Sequence, residues 1–142
     1  MQVLTAVERI FVEQIRVARL ATADESGMPH VVPGCFNCTG NNIYITIDEK
    51  PKVTGTKPLK RIRNIEINPK VSLVVDRYEE DWSRLAWVLI SGHADILNGG
   101  KEHMVAQKSL CFRYTQLTKM VLDELPVIAV RIKKIVSWGA LD

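Results

Sequence analysis

Three cysteines in 142 residues are too few, and an odd number, for the disulfide framework of a small secreted domain. A reducing, cytoplasmic setting is the expectation. Aromatic residues make up only 6% of the chain and do not interleave with its basic run, which argues against stacking on single-stranded nucleic acid. A strong excess of one charge is also missing. The net charge of +3 and pI near 8.8 are mildly basic and suit a local anion site better than a general nucleic-acid binder. No apolar run reaches the length of a membrane span, so no membrane association is expected. The opening MQVLTAVERIFVEQ mixes charge into its apolar positions and shows no small-residue cleavage site, so no leader is expected either. Neither G-x-x-x-x-G-K-[ST] nor G-x-G-x-x-G occurs, which leaves P-loop and Rossmann readings without support. A G-x-S-x-G nucleophile setting is absent as well. A single C-x-x-C, Cys35 to Cys38, has no second pair, and His30, His93 and His103 are scattered, so no metal site is expected.

What is present is a chain 46% hydrophobic, without repeats or low-complexity segments, expected to form one domain over residues 1–142 around one core. Thr5 and Glu8 form a capping box, and Val7, Ile10, Phe11, Ile15 and Ala18 follow at helical spacing. VARLATADESGMPHVVPGCF then reads as a hairpin turning at Asp24, Ser26 and Gly27, and IYITI (43–47) as a third strand. VSLVVD, LAWVLISGHADIL and VIAVRIKKIVSW supply three more strands, with Gly92 marking a bulge or close approach. GGKEHMVAQKSL is a short helix, whereas RYTQLTKMVLDELP has no clear period. Six short strands with few helices predict a mainly β fold, a small antiparallel barrel with peripheral helices.

The segment TKPLKRIRN carries four basic side chains in nine residues. Placed on a helix, Leu59, Ile62 and Glu66 share one side with Ile65 at its edge, while Lys57, Lys60, Arg61 and Asn64 share the other. Pro58 suits the first helical turn, and the dipeptide Asn68-Pro69 ends the helix. A helix start with free N–H groups beside Lys and Arg is a phosphate site in waiting. The bland alternative is a solvated charged face.

RLATADESGMPHVVPGCF, IYITIDEKPK, LKRIRNIEINPKVSLVVD, EEDWSRLAWVLISGHADIL and VSWGA, in that order, resemble the pyridoxamine 5′-phosphate oxidase-like FMN-binding split β-barrel superfamily. Within it, the sequence is most similar to the branch of coenzyme F420-dependent oxidoreductases. The resemblance covers residues 16 to 139. It implies a six-stranded split barrel that forms a homodimer, with isoalloxazine-type cofactors in clefts between the subunits. By the same resemblance, Thr46, Ile47 and Asp48 line the cofactor edge and Val32 and Pro33 pack near the ring. Lys57, Lys60, Arg61 and Asn64 hold the phosphate and acidic tail. Trp82, Trp87 and Trp138 reach the ring from the facing subunit. The loop VTGTKP is longer than in relatives, so which lysine meets the phosphate stays open.

Two cofactors fit that frame. From Asp48 to Pro69 there are six basic residues against three acidic ones, an excess as large as the net charge of the whole chain. A long anionic tail, as in F420, uses that charge better than the single phosphate of FMN, which is the alternative. The implied activity is hydride transfer to a small organic acceptor, with a non-catalytic carrier as the rival reading. Catalytic residues stay unassigned: Tyr44, Tyr78 and His30 are the candidate proton donors, but a Tyr or His on a strand is more often an ordinary packed side chain.

Overall fold

The structure is a computed structural model that describes residues 2–47 and 59–142. The chain opens with α1 (Ala6–Gln14), whose capping box is formed as expected: Thr5 Oγ1 accepts the Glu8 N–H and Glu8 returns a bond to Thr5 N–H. Phe11 and Val12 anchor α1 in the core, whereas Val7 and Ile10 point to solvent. The helix is too short to bury every residue of its apolar stripe.

Strands β1 (Ala18–Ala23), β2 (Pro29–Gly34), β3 (Phe36–Thr39) and β4 (Asn42–Thr46) follow. After α2 (Lys60–Ile67) come β5 (Lys70–Arg77), β6 (Ala86–Leu97), α3 (Lys101–Arg113) and β7 (Val127–Gly139). The described residues thus hold seven strands, one more than the sequence pattern predicts. The second expected strand changes partner at Cys35: β2 pairs with β1, and β3 pairs with β4. All neighbours are antiparallel, in the order β2-β1-β5-β6-β7-β4-β3. The two end strands of that order are consecutive in the chain with only Cys35 between them. The sheet therefore has to curl until its edges meet, which is the split barrel. Tyr114 holds that junction: its hydroxyl accepts the Phe36 N–H at 3.2 Å and lies 2.9 Å and 3.0 Å from the Phe36 and Arg16 carbonyl oxygens.

Strand alternation decides what lies inside. Leu20, Phe36, Ile43, Leu73, Val88, Ile90 and Ile132 fill the barrel together with Phe11. A second, smaller cluster forms where α3 (Ala106, Leu110) covers Tyr44, Val127 and Ala129 on the outer side of β4 and β7. The stretch without a period, 115–125, forms two 3₁₀ turns (Thr115–Lys119 and Leu122–Glu124). Its carbonyls at Leu122 and Leu125 accept bonds from the Gln107 amide, and His103 Nε2 lies 2.7 Å from the Leu125 carbonyl.

Candidate functional site

The hairpin between β1 and β2 clasps the start of α2. Asp24 accepts the Ser26 hydroxyl at 2.7 Å and the Ser26 and Met28 N–H groups at 2.9 Å and 3.0 Å. These bonds, the Ser26 hydroxyl first, pull its carboxyl down to about 2, and Lys60 adds a smaller push. The other Asp24 oxygen stands 3.7 Å from Lys60 Nζ. Lys60 is thus partly committed to the hairpin.

Two residues before Asp24, Thr22 accepts a hydrogen bond from Asn64 Nδ2 at 3.0 Å, and both side chains are buried. His30 is the direct cross-strand partner of Thr22. Directly opposed side chains share a sheet face with β-carbons about 5 Å apart. The Nδ1 of His30 is buried and has no hydrogen-bond partner. Most buried polar atoms in folded proteins do have one. His30, Thr22 and Asn64 therefore form a polar row running from β2 through β1 to α2.

Arg61 stands one turn before Asn64 on the same helix face. It is only 7% exposed. Among the described residues no hydrogen bond or ion pair engages its guanidinium. The N-cap beside it is Leu59, which offers no side-chain acceptor or donor. Among the described residues the first helical N–H groups accordingly have no capping side chain.

The expected division of this helix, Leu59, Ile62 and Glu66 inward and Lys60, Arg61 and Asn64 on the opposite side, is corrected here. Arg61, Ile62, Asn64 and Ile65 all face the protein, across an arc of about 160° at 100° per residue. Lys60, Arg63, Glu66 and Ile67 face solvent. The reason is that α2 packs against both β1 and β6, so a helix of eight residues buries more than its apolar side.

The other expected site residues are placed as follows. Thr46 is buried and its hydroxyl donates to Gln107 Oε1 at 3.0 Å, while Ile47 belongs to the barrel core. Val32 and Pro33 are neighbours on β2 and point to opposite faces, Val32 half-buried and Pro33 exposed. Trp82 lies in a 3₁₀ turn (Trp82–Arg84) and is 71% exposed. Trp87 and Trp138 are register partners on β6 and β7, with ring centroids 6.4 Å apart. Asp48 and Lys57 fall outside the described residues. The structure thus groups Lys60, Arg61 and Asn64 at the α2 end of the barrel, and Trp87 with Trp138 on the outer sheet face. Thr22 and Gln107, which hold Asn64 and Thr46, carry no signal in the sequence: each is decided by a partner more than forty residues away.

Among the described residues no group of three His, Cys, Asp or Glu side chains could hold a metal ion. Cys38 is buried on β3 beneath the Arg9 guanidinium at 3.3 Å, and burial pushes its thiol up. No described helix is long and apolar enough to cross a membrane.

No curated protein sequence matches the chain. Among solved structures, a conserved hypothetical protein of Mycobacterium tuberculosis is similar at 21% identity and a TM-score of 0.77, over 96% of this chain and 85% of that one. The heme storage protein HutZ of Vibrio cholerae is similar at 16% identity and a TM-score of 0.71, over 92% and 89%. A FAD-binding protein of Mesorhizobium loti is similar at 22% identity and a TM-score of 0.71, over 96% and 95%. At these identities the likeness is one of fold. The sequence profile of pyridoxamine 5′-phosphate oxidase matches residues 4–139, nearly the whole barrel with α1 and the final strand. The chain therefore belongs to the pyridoxamine 5′-phosphate oxidase family.

Proposed function

We propose that the protein is an oxidoreductase that binds a phosphate-bearing isoalloxazine cofactor and passes hydride to a small organic acceptor. Coenzyme F420 is the first choice and FMN the alternative. The observation that carries the reading is Arg61, a buried residue whose guanidinium makes no hydrogen bond or ion pair among the described residues, beside a helix N-cap, Leu59, with no capping side-chain bond. Withdrawing a charge from water without a counter-charge costs free energy, so a largely covered guanidinium of this kind favours an anion beside it. A phosphate oxygen set there would receive a charge-assisted bond from Arg61 and N–H bonds from the first turn of α2. Lys60 would add charge from the rim while it keeps Asp24 in range. The cofactor, when bound, supplies the hydride chemistry; the chain's part is to hold it, orient it and keep water away.

His30 would face the same ligand with its unpaired Nδ1. The assembly we propose is a homodimer joined through the outer sheet face. There Trp87, Leu89, Val136 and Trp138 lie in adjacent register rows, none of them fully buried. A contiguous apolar band of this kind marks an interaction surface.

Parallel titrations with F420, FMN and hemin test the reading. Hemin is included because one similar fold is that of a heme storage protein. Tight binding of F420 or FMN that Arg61→Met weakens at least about tenfold supports the site, since a charge-assisted bond of roughly 1.5–3 kcal/mol is removed. Preference for hemin would replace the reading with heme binding. Cofactor binding without reduction of any acceptor would make the protein a carrier.

A further inference from the structure

We propose a second ligand site, separate from α2, that takes a small aryl anion such as an aromatic carboxylate or aryl phosphate. A hollow of about 530 Å³ lies where α1, β3 and the end of α3 meet. Arg16, Lys108 and Arg113 bring three cations to it, and Glu13 is the acidic residue in its wall. None of these four forms an ion pair within 4 Å among the described residues. Arg16 lies just before β1 and Thr22 near its end, about 20 Å apart along an extended chain, so this hollow and the α2 site are distinct.

The two arginines are held in place without being neutralised. Arg113 donates to the Ile15 carbonyl, and its guanidinium carbon lies 4.7 Å from the Phe36 ring centroid. Arg16 donates to the Arg113 carbonyl at 2.7 Å and lies 4.5 Å over the Tyr114 ring. A guanidinium offers five N–H bonds in a rigid fork. The hydrogen bonds just named use one from each, and Arg113 Nε is buried without a partner among the described residues. Capping the last carbonyls of α3 explains one bond of Arg16. It does not explain two fixed, unneutralised guanidiniums beside a third cation. At the rim, Phe112 is 92% exposed, a large apolar ring presented to solvent. Ser109 and Asn37 supply neutral polar atoms on the facing walls. Cations set in a hollow with an open aromatic at its lip suit a ligand that has an anionic head and a flat apolar body.

The test is titration calorimetry with phenyl phosphate and benzoate, with benzyl alcohol as the neutral control, accompanied by amide chemical-shift mapping. Lys108→Glu and Phe112→Ser are the variants, because both side chains are exposed and the fold does not depend on them. Both anions are expected to bind, with shifts gathered around residues 13, 16, 37 and 108–113. Lys108→Glu should weaken the affinity at least about tenfold, and Phe112→Ser severalfold. Any of three results overturns the proposal: no binding, equal binding of benzyl alcohol, or shifts confined to residues 60–64. Affinity unchanged by both variants overturns it too.

Discussion

A β-carbon on Gly92 would stand 2.0 Å from the carbonyl oxygen of Arg131, so β6 and β7 touch backbone to backbone at that point. The register explains the contact. Ser91 pairs with Lys134 and Gly92 with Ile132, leaving Lys133 as the extra residue of a bulge. The bulge bends the two longest strands, and the bend lets the sheet close on itself. Gly92→Ala forces backbone atoms apart, since no flexible side chain can yield. The expected cost is at least about 2–3 kcal/mol. It should appear as a lower urea midpoint with an unchanged slope.

Gly92 was legible in the sequence because a glycine inside a strand pattern has few other uses. So were the Thr5–Glu8 capping box, the Asp24–Gly27 turn and the helix stop before Pro69, all local signals satisfied within four residues. The partner change at Cys35 was not legible. An extended run looks the same whether it keeps one neighbour or exchanges it, and nothing local distinguishes β2 from β3. The inner face of α2 was misread for a related reason. Periodicity sets Asn64 with the basic residues opposite the apolar side, but Asn64 is buried because Thr22, distant in the chain, accepts its amide. The wall that Gln107 builds against Thr46 and the 3₁₀ turns belongs to the same class.

Arg61 separates stability from binding. In the ligand-free protein a largely covered guanidinium with no partner among the described residues opposes folding, and an apolar side chain of similar length removes that cost. Arg61→Met is therefore expected to raise the melting temperature of the ligand-free protein, by about 1 kcal/mol in stability. The same variant should lose the stabilisation that saturating F420 or FMN gives the wild type. Thermal melts with and without cofactor read both effects. A variant that is less stable than wild type without ligand would show that Arg61 is a structural residue.

Glu102, in the first turn of α3, fastens that helix to the barrel. Its carboxylate meets the Arg131 guanidinium on two oxygens, one contact being 3.0 Å, and accepts the Tyr44 hydroxyl at 2.6 Å. The Arg131 hydrogen bonds first, then Tyr44, hold the Glu102 carboxyl down to about 2 from its usual 4.5. A depressed carboxyl stabilises the fold fully above its unfolded value and loses that contribution as pH falls through its folded value. The window is thus pH 4.5 down to about 2. The Glu102 side chain is 39% exposed, so solvent screening limits the contribution to about 1 kcal/mol. Glu102→Gln should be less stable than wild type at pH 7, and the gap should close as pH drops through that window. A gap that stays constant from pH 7 to pH 2 would assign the loss to packing.

The outer sheet face tests the proposed assembly. Register places Trp87 beside Trp138 and Leu89 beside Val136, and Val74 extends the second row on β5. All five side chains point away from the barrel interior. Leu89 lies in the wall of a shallow hollow with Arg19, Asp76 and Trp87, and its side chain is not fully buried in the single chain. A carboxylate there costs the isolated subunit little, because water reaches it. Buried across a subunit interface it would cost several kcal/mol, on the order of an unpaired buried charge. Leu89→Glu is therefore expected to halve the mass seen by light scattering while leaving the circular dichroism spectrum unchanged. If the cofactor cleft is shared between subunits, F420 or FMN affinity should fall with the mass. Dissociation without loss of affinity would place the whole cofactor site within one chain, at α2 and the β1–β2 hairpin. A variant that keeps the wild-type mass would remove this face from the interface.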